Sequence, residues 1–300
     1  MHIPDGFLST PVWVALDVAS LPAVGYVARR AGSKLEESRV PLLGVMGAFV
    51  FAAQMINFPV GAGTSGHLVG GALLSIALGP KAAIVVMTAI LFVQALVFQD
   101  GGILALGANI MNMAVAGVLA GWLPYQLWGG GRFRSAAIVA AGTLSVLVSA
   151  SLAVSELLVS GVSMSSSVLG LSFALFLVSA LIEGFITLAV VKGIESINPS
   201  WIQKPATAAP AVRALTASSV VLAGVGVLFA SGAPDGLEHL SEAIGIAGRQ
   251  YTLLPTPLAD YELEGVSSEW LRRAAAGLIG LALMFGLCRL LAKGIVNRRS

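Results

Sequence analysis

Apolar residues in this chain run in long stretches with few polar interruptions, rather than alternating or recurring as a single stripe. That pattern belongs to helices that are apolar on every side. Since a membrane crossing needs about 20 mainly apolar residues, nine stretches are candidates. They lie at about 11 to 28, 40 to 57, 67 to 80, 82 to 98, 103 to 128, 135 to 160, 168 to 191, 214 to 231 and 271 to 291. The third is short and holds Gly66, Gly70, Gly71 and Gly79; short or interrupted segments often line sites at membrane depth. Pro199, Pro205 and Pro210, set among small and polar residues, mark a linker at 196–213. The pattern therefore predicts an all-α polytopic membrane protein. A seven-span part occupies 1–195, and a C-terminal two-helix hairpin occupies 214–300, with its connecting loop at 232–270.

Composition agrees: 57% of residues are hydrophobic, 11% are charged and the mean hydropathy is +0.90, against roughly 45 to 50% and about 25% in soluble domains. A net charge of +2 gives no case for a nucleic-acid partner. The positions of the charges say more. Arg29, Arg30, Lys34 and Arg39 follow the first stretch, Lys81 the third, Arg132 and Arg134 the fifth, Lys192, Lys204 and Arg213 the seventh, and Arg289, Lys293, Arg298 and Arg299 the last. Basic residues gather on the cytoplasmic side, so the N-terminus is expected outside and the C-terminus inside a cytoplasmic membrane. The 232–270 loop then becomes extracytoplasmic. It carries Asp235, Glu238, Glu242, Asp260, Glu262, Glu264 and Glu269 against Arg249, a balance that draws cations.

Chemistry-bearing side chains are few. Cys288 is the single cysteine and His2, His67 and His239 are the three histidines, which excludes cysteine-based metal sites. The opening MHIPDGFLST lacks the basic start and small-residue cleavage site of a signal peptide. Because His2 is bulky, Met1 is expected to stay, leaving a free α-amine one peptide bond from an imidazole. The amine, the intervening amide nitrogen and the His2 ring can close fused small rings about an ion. Such near-planar nitrogen donors suit Ni(II) or Cu(II), with Co(II) possible. His67, on the same expected face, can supply a further nitrogen. A capping or packing role for a histidine near a helix start stands beside this reading. Asp5 and Gly6, after Pro4, are expected to turn the terminus back.

Four separated motifs carry a family resemblance: MHIPDGFLS at the start, GTSGHLVGGALLSIALGP at 63–80, QALVFQDGGILALGANIMNMAVAG at 94–117 and LIEGFITLAVV at 181–191. Over roughly residues 1–195 the chain resembles the CbiM/NikM family, the substrate-binding membrane subunits (S components) of energy-coupling factor (ECF) transporters for cobalt and nickel. The resemblance implies a seven-helix S-component bundle binding Ni(II) or Co(II) through Met1, His2 and His67, with the N-terminal segment as a plug. Gln94, Asp100 and Asn109 are implied to position the plug or its histidines. The second part, with APDGLEHL at 233–240 and LADYELEGV at 258–266, resembles the CbiN/NikN or PDGLE companion, which assists metal loading. The GTSGH wording, against the GSCSH type associated with cobalt members, favours nickel.

Other positions carry weaker signals. Asn57, Thr64, Ser65, Asn109 and Asn112 stand near the same ends of the spans, where they could equally satisfy irregular backbone. Asp17, Glu156 and Glu183 fall within spans, where ionisable groups are costly, but a nitrogen site does not require them. His239 is an exposed-loop histidine expected to be unliganded. Ala15, Ala19 and Ala23 share one helical face, which permits close helix approach; in the family a comparable pattern docks the coupling subunit, and packing within the bundle is the alternative. No GxxxxGK[ST] loop occurs, so ATP-driven uptake requires separate ATP-binding cassette ATPases and a coupling membrane (T) component. Two rivals remain: an ATPase-independent transporter or channel, and a hydrolase using Ser65 with His67, disfavoured if the two stand at a helix start.

Overall fold

The computed structural model describes residues 1–32, 40–61, 63–197, 202, 220–221 and 233–297. Helix α1 (Thr10–Gly32) and α2 (Val40–Gln54) lead into an antiparallel hairpin of β1 (Asn57–Gly61) and β2 (Thr64–His67). Next come α3 (Gly71–Leu78) and α4 (Pro80–Val93), the latter continued by a π-helical turn at Gln94–Phe98. The following helix is composite: α5 (Leu106–Asn109), a π-helical stretch at Ile110–Gly117, and α6 (Val118–Trp128). Two long helices, α7 (Arg134–Val159) and α8 (Ser166–Ile197), follow; the C-terminal part contributes α9 (Gly236–Ala243) and α10 (Glu269–Asn297). Six of the described helical runs are long and apolar enough to cross a membrane, and α2 is a shorter apolar helix.

The stretch at 67–80 does not form a span. Its residues divide between the end of β2 and the eight-residue α3, which at about 1.5 Å per residue is too short to cross. Gly70 (φ 81°) and Gly79 (φ 80°) hold the left-handed backbone that bounds α3, and every α3 residue is buried. The apolar run is therefore core of the protein rather than lipid-facing surface. Its approach is tied down by Glu183 on α8, whose carboxylate accepts the backbone N–H groups of Val69 (2.6 Å) and Gly70 (2.8 Å). This is how an interrupted segment satisfies its backbone at depth. The other two in-span acids also bond to the protein: Asp17 accepts from the Gly107 N–H (2.7 Å) and Glu156 from the Asn112 amide (2.8 Å).

The segment at 232–270 is folded over its described part rather than being a bare loop. It contains α9 and single 3-10 turns at Ala247–Arg249 and Ala259–Tyr261. Asp235 caps α9 by accepting the N–H groups of Leu237 (2.7 Å) and Glu238 (2.9 Å), while Glu238 reaches back to the Asp235 N–H (2.8 Å). Helix α10 belongs to the common core: Leu281, Met284 and Cys288 are buried in the same apolar cluster as α2, α3 and α4. A Cβ on Gly280 would stand 2.3 Å from the Phe51 ring, and one on Gly47 would stand 2.7 Å from Cys288 Sγ. Glycine is what lets α10 and α2 lie this close. Most of the expected span at 214–231, all but Val220 and Val221, and most of the 196–213 linker lie outside the described residues; α8 extends through Ile197.

The N-terminal segment, the β-hairpin, residues 99–105 and the segment 233–268 collect at one end of the bundle, where the Gly102 N–H donates to Ile3, the Ser65 N–H to Pro234 and the Tyr251 N–H to Asp5.

Candidate metal centre

Residues 1–8 form a strap that enters this end of the bundle. Ile3 is fully buried, and Phe7 and Leu8 are buried beside it. Asn109 clasps the strap like a strand partner, its Oδ1 accepting from the Ile3 N–H (2.8 Å) and its Nδ2 donating to the Ile3 carbonyl (3.0 Å). The Gly102 N–H also donates to the Ile3 carbonyl (2.8 Å). Asp5 turns its carboxylate onto the N–H groups of Ile103 (3.0 Å), Leu104 (2.8 Å) and Ala105 (3.2 Å). Gly6 follows with φ 94°, which forms the turn.

The anchored strap brings the chain terminus to His67. The Met1 amine lies 3.0 Å from His67 Nε2, and the His2 and His67 rings stack with centroids 5.7 Å apart and planes 2° from parallel. His67 Nδ1 donates to the Leu68 carbonyl (3.0 Å), which leaves the lone pair of Nε2 directed at the amine. His2 Nδ1 donates to Asp100 Oδ1 (2.8 Å), and His2 Nε2 is buried with no hydrogen-bond partner. Both imidazoles thus have one nitrogen anchored and the other left as an acceptor. Burial pushes the His2 pKa below its ordinary value despite the opposing pull of Asp100, so the ring is neutral near pH 7.

Two residues of the C-terminal part reach this constellation. Asp235 pairs with the Met1 ammonium through Oδ2, which also lies 3.7 Å from His67 Nε2. Burial alone would raise the Asp235 carboxyl, but the adjacent terminal charge and His67 hold it well below the usual carboxylate range. The contact is braced by the Ser65 N–H donating to the Pro234 carbonyl (2.8 Å). Tyr261 donates its hydroxyl to Asp100 Oδ2 (2.5 Å) and accepts from Gln94 Nε2 (2.9 Å). Gln94 Nε2 also donates to Gln54 Oε1 (2.9 Å), and Gln54 donates to the Val69 carbonyl (2.7 Å). A cavity of about 210 Å³ opens beside these groups, lined among others by His2, His67, Asp100, Asp235, Glu238 and Tyr261.

Of the residues expected from the sequence, Met1, His2 and His67 converge, Asp100 touches His2 and Asn109 holds the strap. Gln94 stands one residue further away, behind Tyr261. His239 is half-buried on α9 and does not line the cavity. Among the described residues no group of three or more His, Cys, Asp or Glu side chains is arranged to hold an ion. Ser65 and His67 lie on a strand, not at a helix start, so they share a face. The Ser65 hydroxyl nevertheless donates to the Ala233 carbonyl (2.7 Å), away from the imidazole. Asp235 and Tyr261 were not singled out from the sequence, although both lie in its PDGLE-like motifs.

Apolar helices enclosing an anchored terminus and two histidines define a multi-pass membrane protein. The profile of the family described as the cobalt uptake substrate-specific transmembrane region matches residues 2–201, and that of the PDGLE domain matches residues 210–297. The chain belongs to the CbiM family and carries a PDGLE domain, which makes it a membrane component of nickel or cobalt transport and not an enzyme. A putative fused nickel transport protein NikMN of Archaeoglobus fulgidus is 37% identical over 305 residues, covering 96% of this chain and 98% of the relative. The fused nickel transport protein NikMN of Rhodobacter capsulatus is 41% identical over 128 residues, which cover 42% of this chain and 37% of that one. Among solved structures, a transition metal transporter is similar with a TM-score of 0.59 at 30% identity, covering 66% of this chain and 94% of that chain. A truncated transition metal transporter gives a TM-score of 0.58 at 31% identity, covering 65% and 99%.

Proposed function

We propose that the chain is the substrate-binding component of an ECF-type ATP-driven importer for Ni(II) or Co(II). It comprises an S-component bundle (1–195), a cytoplasmic linker (196–213) and a companion part (214–300) whose folded 232–270 segment faces outward. The observation that carries this reading is the 3.0 Å approach of the Met1 amine to His67 Nε2 in a buried site. Two nitrogens bound at right angles to one ion, each about 2.0 Å away, stand about 2.8 Å apart. The terminal amine and His67 can therefore take adjacent corners of a near-planar site, with the His2 amide and ring completing it. Fused-ring chelation uses His2 Nδ1, the nitrogen that Asp100 engages here, so ion capture by that route turns the imidazole over. The cargo displaces one proton from the Met1 ammonium and the proton of the His2 amide, both released to solvent, and Asp235 then faces the ion or withdraws.

Acidic residues of the 233–270 segment attract the hydrated ion to the cavity, where Asp100, Asp235, Glu238 and Asp260 line its wall. The nitrogen donors then replace its water. Ala15 and Ala19 are exposed and Ala23 is half-buried on α1, which leaves this small-residue face outside the packing of the described residues and suited to a coupling T component. Release to the inside follows from movement imposed by that component and its ATPases.

Uptake of radioactive nickel and cobalt by cells expressing the chain distinguishes this from an ATPase-independent transporter. Accumulation should require co-expressed coupling and ATPase subunits and should stop with an ATPase active-site variant. Equal accumulation without those subunits contradicts the importer reading.

A further inference from the structure

We infer that Tyr261 is a positioning residue of the metal site: it holds the Asp100 carboxylate that orients the His2 imidazole. This rests on the reading of Met1, His2 and His67 as the metal-binding groups. Asp100 uses one oxygen for His2 Nδ1 and the other for the Tyr261 hydroxyl, so the phenol and the imidazole are held through one carboxylate. Both hydrogen-bonding functions of the phenol are engaged, since Gln94 Nε2 donates to the oxygen that donates to Asp100. The ring is fixed as well, stacked on Phe98 with centroids 4.9 Å apart and planes 17° from parallel.

The backbone gives an independent observation. Among the described residues, three non-glycine residues are left-handed: Gln99 (φ 57°), Asp260 (φ 53°) and Tyr261 (φ 57°). All three lie at the contact between Asp100 and Tyr261. Such conformations cost about 1 to 3 kcal/mol each and persist where surrounding structure imposes them. Here the Gln99 side chain donates to the Leu254 carbonyl (2.8 Å), and Thr256 donates to the Val97 carbonyl (2.6 Å), pinning the two strained segments together. Strain on both sides of one hydrogen bond identifies that bond as the feature the local fold preserves. When the imidazole turns over to give Nδ1 to the ion, its Nε2–H becomes the donor to Asp100, and a carboxylate behind a ligating histidine fixes its tautomer and ring orientation. In this chain that carboxylate is in turn fixed by a residue from the PDGLE domain.

The test uses the purified full-length chain with its native terminus, Ni(II) alone as the probe, and the variants Tyr261→Phe, Asp100→Asn, their double variant and His67→Ala. Tyr261→Phe keeps the stacked ring and loses only the hydroxyl, so stability to thermal unfolding without metal should fall by no more than about 1 to 2 kcal/mol, the scale of the lost hydrogen bonds. Its Ni(II) affinity should fall about 10-fold, and the visible absorption of bound Ni(II) should shift in the direction that Asp100→Asn shifts it. The double variant should bind no more weakly than Asp100→Asn alone, because Tyr261 acts through Asp100. Unchanged affinity and spectrum in Tyr261→Phe, with binding lost in His67→Ala, would overturn the role of Tyr261 and leave the site intact. Additive losses in the double variant overturn it too, as does a thermal destabilisation that leaves the spectrum unshifted. If His67→Ala binds as the unsubstituted chain does, the metal site itself is wrong and the inference falls with it.

Discussion

Asp235 serves two structures at once: Oδ1 caps α9 and Oδ2 pairs with the chain terminus. Asp235→Ala should destabilise the protein by about 1 kcal/mol through the lost cap alone, read by thermal unfolding. It should also speed acylation of the Met1 amine, read by mass spectrometry. Asp235→Asn can still cap the helix but carries no charge. It should keep most of the stability while showing the same gain in amine reactivity. Equal labelling rates in all three chains would remove the ion pair from the account. His2 and His67 were legible in the sequence because a chain with three histidines offers few nitrogen ligands and a free terminus adds another. Asp235 was legible only as one acid in an acidic segment. Its partner is 234 positions away, and nothing local in the sequence encodes that distance. Tyr261 gave less signal still, since a tyrosine between acids reads as an ordinary loop residue until Asp100 is placed against it.

At the scale of elements, long apolar runs translated directly into α1, α4, α7, α8 and α10, because hydrophobic length is what the membrane reads. The 67–80 stretch misled because a short buried helix and a membrane span share the same composition, and only length and the flanking left-handed glycines separate them. The strap depends on close backbone approach. A Cβ on Gly102 would stand 2.5 Å from the Asp5 nitrogen and 2.2 Å from its Oδ1. Gly102→Ala should therefore push the strap outward and weaken Ni(II) binding at least several-fold without altering any nitrogen donor, as measured by calorimetric titration. Glu183→Ala removes the acceptor for two buried N–H groups next to His67. Each such loss costs about 1 to 3 kcal/mol, so thermal unfolding in detergent should show a clear fall. A stability change of a few tenths of a kcal/mol would mean that the corner after His67 does not rely on α8.

Across the whole molecule, the PDGLE domain is more intimate with the bundle than a tethered companion would be. Fusion raises the local concentration of one module beside another, yet α10 packs into the same core as α2, and the 233–268 segment supplies both Asp235 and Tyr261 to the terminus. Prolines and charge blocks suggested a seven-span part and a hairpin, but one of those seven stretches, 67–80, is a short buried helix instead of a span. The shared core was not readable, because apolar spans carry no mark of which neighbours they meet. Gly280→Leu, which forces a large side chain toward the Phe51 ring, should lower thermal stability by about 1 to 3 kcal/mol and reduce Ni(II) affinity in parallel, since α10 follows directly from the Tyr261 segment. The central claim is that the free terminus binds the cargo, and Ni(II) titration of the native chain against one carrying a single extra glycine before Met1 tests it most directly. The extension should weaken binding more than the roughly 10- to 100-fold typical of losing an outer-shell partner, and His67→Ala should do the same. An extended chain that binds Ni(II) as tightly as the native one would contradict the account.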